Sequence, residues 1–274
     1  MLKKEYSGGN ASFFSYLCKV KSSKMAKKKI LFINQEISPY VPDNALSIMG
    51  RELPKTIQEC SHEIRTFMPK WGIINDTDHP LIIKVASIQS AKVQVYFIDN
   101  DDYFGKRLME KDEQGEDYAD NGERAIFFAR GVLETVKKLR WVPDVIHCQG
   151  WMSAVVPLYV KTAYHDEPSF ADAKVVTSLF SQKLDKDLGD DFKQCLEFRE
   201  TTQEILKDYK DNFDLNELYK LAIDYSDGIV QSDSLVDKEL LTYIKEKNIP
   251  FLGYSENVAE ACEDFYESLY PAEE

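Results

Sequence analysis

Short runs of apolar residues alternate along this chain with longer stretches in which apolar residues recur at helical spacing. The run at residues 30–33 is continuous, as expected of a strand that is covered on both faces. We predict further strands at residues 64–68, 81–88, 93–98, 144–147, 175–179 and 228–230, with 81–88 and 93–98 forming a hairpin and 228–230 as the last. We predict helices at residues 45–60, 121–139, 151–163, 192–206, 215–225 and 234–246. This rhythm predicts one α/β domain, a single doubly wound, mostly parallel sheet with helices on both faces.

The clearest helical pattern lies at residues 121–139. Its apolar face consists of Phe128, Val132, Val136 and Leu139. Either Asp120 or Asn121 is placed to cap the first turn. This segment therefore predicts an amphipathic helix packed on the sheet.

Residues 255–274 predict a further helix, which we expect to pack on the domain of residues 25–254. Ser255 is positioned to cap this helix and Pro271 to end it. The apolar face consists of Val258, Ala261, Cys262, Phe265 and Leu269. The acidic face, which we expect in water, consists of Glu256, Glu260, Glu263, Asp264 and Glu267. The alternative is a frayed, solvated tail, because like charges repel along the acidic face.

The first 24 residues do not fit this pattern. Their apolar run at residues 13–20 is too short to span a membrane, and no small-residue cleavage site follows it. Met25 directly precedes three lysines and the first strand and resembles a second start. We therefore interpret residues 1–24 as a leader or a mis-set gene start and exclude them from the fold.

Charge and composition exclude several classes of function. The formal net charge of -13 argues against nucleic acid and anionic membranes as partners, and permits a neutral polymer. The five cysteines are dispersed without a Cys-x-x-Cys pair, which is typical of reduced thiols in a cytoplasmic protein. The four histidines are equally dispersed, so no metal site is predicted.

Motifs for common catalytic chemistry are missing from the sequence. It contains no G-x-G-x-x-G, no G-x-x-x-x-G-K-[ST] and no G-x-S-x-G. The acidic cluster at residues 99–102 matches no calcium-loop spacing and indicates a solvated loop. Pattern and composition alone therefore lead to an α/β domain without an assigned reaction.

Four stretches of the chain resemble the glycogen/starch synthases, which are family 5 glycosyltransferases with the two-domain GT-B architecture. They are K-I-L-F-I-N-Q-E-I-S-P-Y at 29–40, D-Y-x-D-N-x-E-R-x-x-F-F at 117–128, P-D-V-I-H-C-Q-G-W at 143–151 and D-Y-S-D-G-I-V at 224–230. They occur in family order. The resemblance implies the Rossmann-like N-terminal half of a GT-B fold. It also implies transfer of glucose from ADP-glucose to an α-1,4-glucan, and a second, donor-binding domain, which we do not expect within these residues.

The resemblance places a donor loop after the first strand, where the family carries Lys-x-Gly-Gly. Here the loop is Pro42, Asp43, Asn44 and Ala45. Compared with the family's loop, Pro42 removes the positive charge of the lysine and a backbone N–H group, and Asp43 adds a negative charge. Ala45 adds a Cβ where glycine would let the backbone approach a diphosphate. We therefore expect ADP-glucose binding to be weak or absent.

The resemblance also implies substrate-binding positions. In the family's H-x-H-D-W segment the second histidine meets the transferred glucose, and here that position is Gln149, which cannot titrate near neutral pH. No catalytic residue is therefore assigned. His147 and Trp151 persist and either bind substrate or serve the strand end and the following helix. Glu36 follows the first strand, where the crevice of an open parallel sheet lies, and we expect it to face that cleft.

Asp120, Asn121 and Arg124 permit two interpretations. In the first, they face the cleft and hydrogen-bond sugar hydroxyls. In the second, Asp120 caps the helix, Asn121 holds the loop in place, and Arg124 forms an ion pair with Asp117 or Asp120. Both interpretations remain open at the level of sequence.

Three hypotheses for function follow. The first is a glucan-binding or protein-binding domain that is inactive alone. The second is an active glucosyltransferase subunit completed by a separate chain that contributes the donor half. The third is a regulatory subunit without carbohydrate affinity. The expected partners are an α-glucan or maltooligosaccharide, or a protein or second copy across the cleft face; no cofactor is expected.

Overall fold

The computed structural model describes residues 27–74, 83–88 and 93–271. The predicted leader at residues 1–24 lies outside the described residues, as do residues 81 and 82 of the predicted hairpin. Within the described ranges, no helix combines the length and the apolarity that crossing a lipid bilayer requires.

The described strands form one eight-stranded sheet. They are β1 (Lys29–Asn34), β2 (Glu63–Pro69), β3 (Ile83–Ile88), β4 (Val93–Ile98), β5 (Val145–Gln149), β6 (Lys174–Leu179), β7 (Gly228–Gln231) and β8 (Phe251–Leu252). Their order is β3-β4-β2-β1-β5-β6-β7-β8, and every neighbouring pair is parallel except β3 with β4. The predicted mostly parallel sheet with one hairpin is confirmed.

Helices cover both faces of this sheet. They are α1 (Ala45–Glu59), α2 (Asn121–Lys138), α3 (Val156–Lys161), α4 (Phe192–Cys195), α5 (Gln203–Leu206), α6 (Leu215–Asp224), α7 (Lys238–Lys247) and α8 (Val258–Ser268). Helices α1 and α8 pack on one face, where Phe32 of β1 and Leu53 of α1 are buried. Helices α2, α3, α6 and α7 pack on the other, where Phe128 and Leu218 are buried. Each such side chain stabilises the fold by about 1.5–3 kcal/mol.

Three helix predictions require correction. A continuous helix over residues 192–206 is wrong, because Phe198 bridges to Thr201 and Arg199 adopts a left-handed φ of 50°, which reverses the chain between α4 and α5. The predicted helix at 151–163 is a short 3-10 turn followed by α3. Helix α7 begins at Lys238 and not at residue 234, because Asp237 caps it by accepting a hydrogen bond from the Glu239 N–H.

Two further details differ from the expectations. Leu139 lies just beyond the end of α2 and is 40% exposed, so it does not belong to the buried face. Residues 228–230 are not the last strand, because β8 pairs with β7 in parallel.

The cysteines do not all match the predicted reduced state. Among the described residues, Cys148, Cys195 and Cys262 are free thiols, whereas Cys60 is disulfide-bonded. The expectation of five reduced thiols is therefore wrong for Cys60. The cytoplasmic location rested partly on that expectation and remains a prediction.

The C-terminal helix α8 lies against α1 and the central strands. Val258, Cys262 and Phe265 are buried there, and so is Tyr266, which lies outside the predicted apolar set. Glu263 is also buried, with Oε1 at 2.8 Å from Nε2 of His62. The expectation that every acidic residue of this helix faces water is wrong for Glu263, because a buried histidine faces its carboxylate.

The start of α8 is also formed differently from the prediction. The Ser255 side chain does not cap it; instead its backbone carbonyl accepts a hydrogen bond from the Val258 N–H.

Candidate functional site

A pocket of about 260 Å³ lies beyond the carboxyl ends of the central strands. In the sheet, β2, β4 and β3 follow β1 on one side, and β5, β6, β7 and β8 follow it on the other. The strand order therefore reverses between β1 and β5. The crevice at this reversal of strand order is where open α/β sheets bind ligands. We call it the cleft pocket, and its wall consists of Glu36, residues 44–46, Glu110, Trp151, residues 180–183 and Asp233.

Glu36 occupies the wall of the cleft pocket, but only 4% of it is exposed. Its Oε2 accepts a hydrogen bond from Asn44 Nδ2 at 2.5 Å, and its Oε1 accepts one from Gln35 Nε2 at 3.2 Å. Burial raises the pKa of Glu36 to about 7, and the nearby carboxylate of Glu110 adds to the increase. At neutral pH the group therefore exists both as an acid that donates a hydrogen bond and as a carboxylate that only accepts.

The loop at residues 42–45 forms a helix cap. Asn44 Oδ1 accepts a hydrogen bond from the Ser47 N–H at 2.8 Å, and Ser47 Oγ accepts one from the Asn44 N–H at 2.9 Å. This capping box satisfies backbone donors at the start of α1 that an anion would otherwise use. Pro42, Asp43 and Ala45 are exposed beside it. The loop therefore presents no cation to the cleft pocket.

Trp151 is almost fully buried behind the cleft pocket, and Gln182 fixes its backbone. The Trp151 N–H donates to Gln182 Oε1 at 3.1 Å, and the same oxygen accepts from the Tyr219 hydroxyl at 2.8 Å. Gln182 Nε2 donates to Gln35 Oε1 at 3.1 Å. Gln182 was not predicted as a site residue. Its position just after β6 was the available signal, because ligand sites lie beyond strand ends.

His147 does not reach the cleft pocket. It is fully buried, with Nδ1 at 2.5 Å from the Tyr266 hydroxyl and Nε2 at 2.7 Å from Ser178 Oγ. Burial lowers the pKa of His147 to about 3, so the ring is neutral at physiological pH. The residue joins β5 to β6 and α8, as expected of a structural histidine.

Gln149 ends β5 and is fully buried as well. Neither the nitrogen nor the oxygen of its side-chain amide has a hydrogen-bond partner among the described residues, an arrangement that usually costs free energy. The next residue, Gly150, has a φ of 84°, and a Cβ there would lie 2.8 Å from Gln35 Oε1. Only glycine fits this turn between β5 and Trp151.

Arg124 and Asn121 hold together the loop that follows β4. The fully buried Arg124 donates from Nε to the Tyr103 carbonyl at 2.8 Å, from Nη2 to the Met109 carbonyl at 2.7 Å, and from Nη1 to Asn121 Oδ1 at 2.7 Å. Asn121 Nδ2 donates to the Glu110 carbonyl at 3.0 Å. Burial lowers the pKa of Arg124 to about 10, which leaves it charged. Both residues thus position Glu110 at the cleft pocket without lining that pocket.

Asp120 does not cap α2 through its side chain. Both of its carboxylate oxygens accept hydrogen bonds from Arg107 Nη1, at 2.5 and 2.7 Å. The ion pair of Arg124 with Asp117 or Asp120, which belonged to one of the two open interpretations, does not form; Asp117 instead accepts backbone N–H groups of Asp185 and Lys186. Within the described ranges, no three His, Cys, Asp or Glu side chains converge as metal ligands would.

Residues 29–249 match the model of a family described as the starch synthase catalytic domain. This match covers most of the chain, which therefore belongs to that family, and the predicted resemblance is confirmed.

Curated relatives agree with this membership. The chain is 35% identical over 172 residues to glycogen synthases of Chlorobium limicola and Chlorobaculum tepidum, an alignment that covers 55% of this chain and 35% of each relative. It thus spans about a third of the length of these relatives.

A solved structure shows the same fold. The catalytic domain of starch synthase IV from Arabidopsis thaliana, bound to ADP and acarbose, superposes with a TM-score of 0.65 at 17% identity. The superposition covers 83% of this chain and 51% of that one.

Proposed function

We propose that this glycogen/starch synthase-like domain binds a neutral α-1,4-glucan in the cleft pocket and transfers no glucose by itself. Family membership supports a role in glucan biosynthesis. A solved relative with the same fold is bound to ADP and acarbose. For the present chain, the groups that line the cleft pocket favour a neutral sugar over a nucleotide.

The charge of the cleft pocket carries this proposal. Among the described residues that line it are three carboxyl groups, those of Glu36, Glu110 and Asp233, and one cation, that of Lys183. Tight diphosphate binding requires converging cations or free backbone N–H groups. Sugar hydroxyls instead require donors and acceptors in mixed positions, which carboxyl and amide groups supply.

The proposed lack of glucose transfer rests on the loop at residues 42–45 and on Gln149. Stabilising the charge on the departing diphosphate is usually the largest catalytic contribution, and the loop at residues 42–45 offers no cation for it. Gln149 stands at the family's histidine position and cannot titrate near neutral pH. No residue of the cleft pocket is assigned a catalytic role.

We expect maltoheptaose at millimolar concentration to shift the backbone NMR resonances of Asn44, Trp151 and Gln182 in the full chain. Replacing Gln182 with alanine should weaken binding by about three- to tenfold, the usual effect of losing one or two neutral hydrogen bonds. Gln203→Ala is the matched control, because Gln203 is exposed on α5 and does not line the pocket. Unshifted resonances around the cleft pocket would favour the regulatory subunit without carbohydrate affinity.

We expect no incorporation of labelled glucose from ADP-glucose or UDP-glucose into glycogen above a boiled control. A full-length glycogen synthase from a relative serves as the positive control. Incorporation by the chain alone would overturn the proposed lack of transfer.

A further inference from the structure

A groove of about 600 Å³ lies along the outer face of α2, the face turned away from the sheet. Helix α2 contributes most of the lining residues, and Tyr103 and Cys195 complete the wall. We call this surface the α2 groove. None of its described lining residues belongs to the cleft pocket, so the two surfaces can be tested independently.

The middle of the α2 groove is apolar. The Phe127 ring is only half-buried, and its centroid lies 5.0 Å from that of Tyr103, which is half-buried as well. Ile126 also lines this part of the groove. Aromatic side chains are enriched at the centres of protein interfaces, where they carry much of the binding free energy. The middle of the groove thus has the character of such a centre.

Opposite charges flank this apolar middle. Glu123 and Arg130 are both exposed and lie seven residues apart, which is two helical turns, so they share one face of α2 with Phe127 between them. Arg130 forms no ion pair with the described residues. Its guanidinium lies 4.0 Å from the ring centroid of Phe198, a contact that holds the cation in position. The groove therefore presents a carboxylate on one side of the Phe127 ring and an unpaired cation on the other.

We propose that the α2 groove is the interface of a homodimer, in which two copies of α2 pack antiparallel about a two-fold axis near Phe127. The axis passes through the midpoint between positions 123 and 130. Glu123 of one copy therefore faces Arg130 of the other, and the symmetry repeats the same pair on the other side of the axis. The two Phe127 rings meet at the centre. A second copy fits this surface because the order of carboxylate, ring and cation is complementary to itself.

Two further carboxylates on this side of α2 do not disturb the pairing. Asp120 is bound by Arg107, and Glu134 Oε1 lies 3.6 Å from Arg199 Nη2, so each has a cation of its own chain. Packed helices typically cross at about 20–50° and diverge away from the crossing point, which separates these carboxylates from the second copy. With a net charge of -13, two copies repel each other at long range, so association requires a surface on which the charges balance locally.

Sedimentation velocity of the full chain over a range of protein concentrations tests this interface. We expect a monomer–dimer equilibrium that shifts towards monomer as salt is added, because salt screens the two ion pairs. Glu123→Arg and Arg130→Glu each place like charges opposite each other in both symmetric contacts, and each should weaken dimerisation by about tenfold or more. The double variant exchanges the two charges and should dimerise nearly as the wild type does. Lys245→Glu is the matched control, since Lys245 is exposed on α7, does not line the groove and undergoes the same change of charge as Arg130→Glu.

Each outcome decides the proposal. A monomer at every concentration would overturn it, and so would a dimer that both single variants leave intact. Loss of the dimer in the single variants without recovery in the double variant would show that the two residues do not face each other. If Arg130→Glu does not fold because it loses the contact with Phe198, Glu123→Arg alone decides whether this face is the interface. None of these outcomes bears on glucan binding in the cleft pocket.

Discussion

Acidification from pH 7 to pH 4 should lower the free energy of unfolding by about 3 kcal/mol through His147 alone. The pKa of His147 is about 3 in the folded protein, against 6.5 for the unperturbed group. Between these two values the unfolded chain binds a proton that the folded protein excludes. Stability therefore rises with pH across this window and is lost as the pH falls. Urea unfolding at a series of pH values measures the effect.

The variant His147→Gln isolates this contribution. Glutamine stays neutral and can still reach Tyr266 or Ser178, so the variant should lose less stability than the wild type between pH 7 and pH 4. His165→Gln is the matched control, because His165 is exposed. This substitution should not change how the free energy of unfolding depends on pH. Equal slopes for wild type and His147→Gln would contradict the assignment of a neutral buried histidine.

Deletion of residues 255–274 should prevent cooperative folding or lower the melting temperature by many degrees. Helix α8 buries Val258, Cys262, Phe265 and Tyr266. At about 1.5–3 kcal/mol for each large apolar side chain, the loss approaches the total stability of a typical domain, about 5–15 kcal/mol. Differential scanning calorimetry of both chains measures the change.

A point variant keeps this prediction testable if the truncated chain does not fold. Phe265 packs directly on Gly228, where an added Cβ would lie only 2.9 Å from its ring. Phe265→Ala should cost about 3–5 kcal/mol, the usual result for a buried phenylalanine. Tyr254→Ala removes an exposed aromatic ring instead and should cost far less. A melting temperature of Phe265→Ala equal to that of Tyr254→Ala would show that α8 contributes little.

The sheet was predictable because its information is local. Runs such as residues 30–33 and 175–179 are apolar throughout, which suffices to predict strands buried on both faces. The failure at residues 192–206 has an equally local origin, since helical spacing did not reveal the left-handed turn at Arg199. Periodicity records which side chains are apolar and carries little information about single backbone reversals.

The sites were less predictable because their partners are distant in sequence. His147 contacts Tyr266, which is 119 positions away, and this pairing turns a family motif residue into part of the core. Gln182 reaches Gln35 across 147 positions. Asp120 was one of two candidates to cap a helix, and instead both of its carboxylate oxygens accept from Arg107 Nη1, because a hydrogen bond between two charged groups is stronger than one to a neutral N–H.

The position of α8 has a consequence for biosynthesis. Strand β1 is made early and lies in the middle of the sheet, yet the face that it shares with β5 is covered by a helix about 230 positions later in the chain. A ribosome adds about 5–20 residues each second, so the part of this face that α1 does not cover stays exposed for many seconds while the rest of the domain is made. Contacts between such distant parts of the chain also slow folding. The nascent domain therefore has only α1 on that side of its sheet until α8 emerges, and during that interval the uncovered apolar residues are exposed to aggregation and to chaperones.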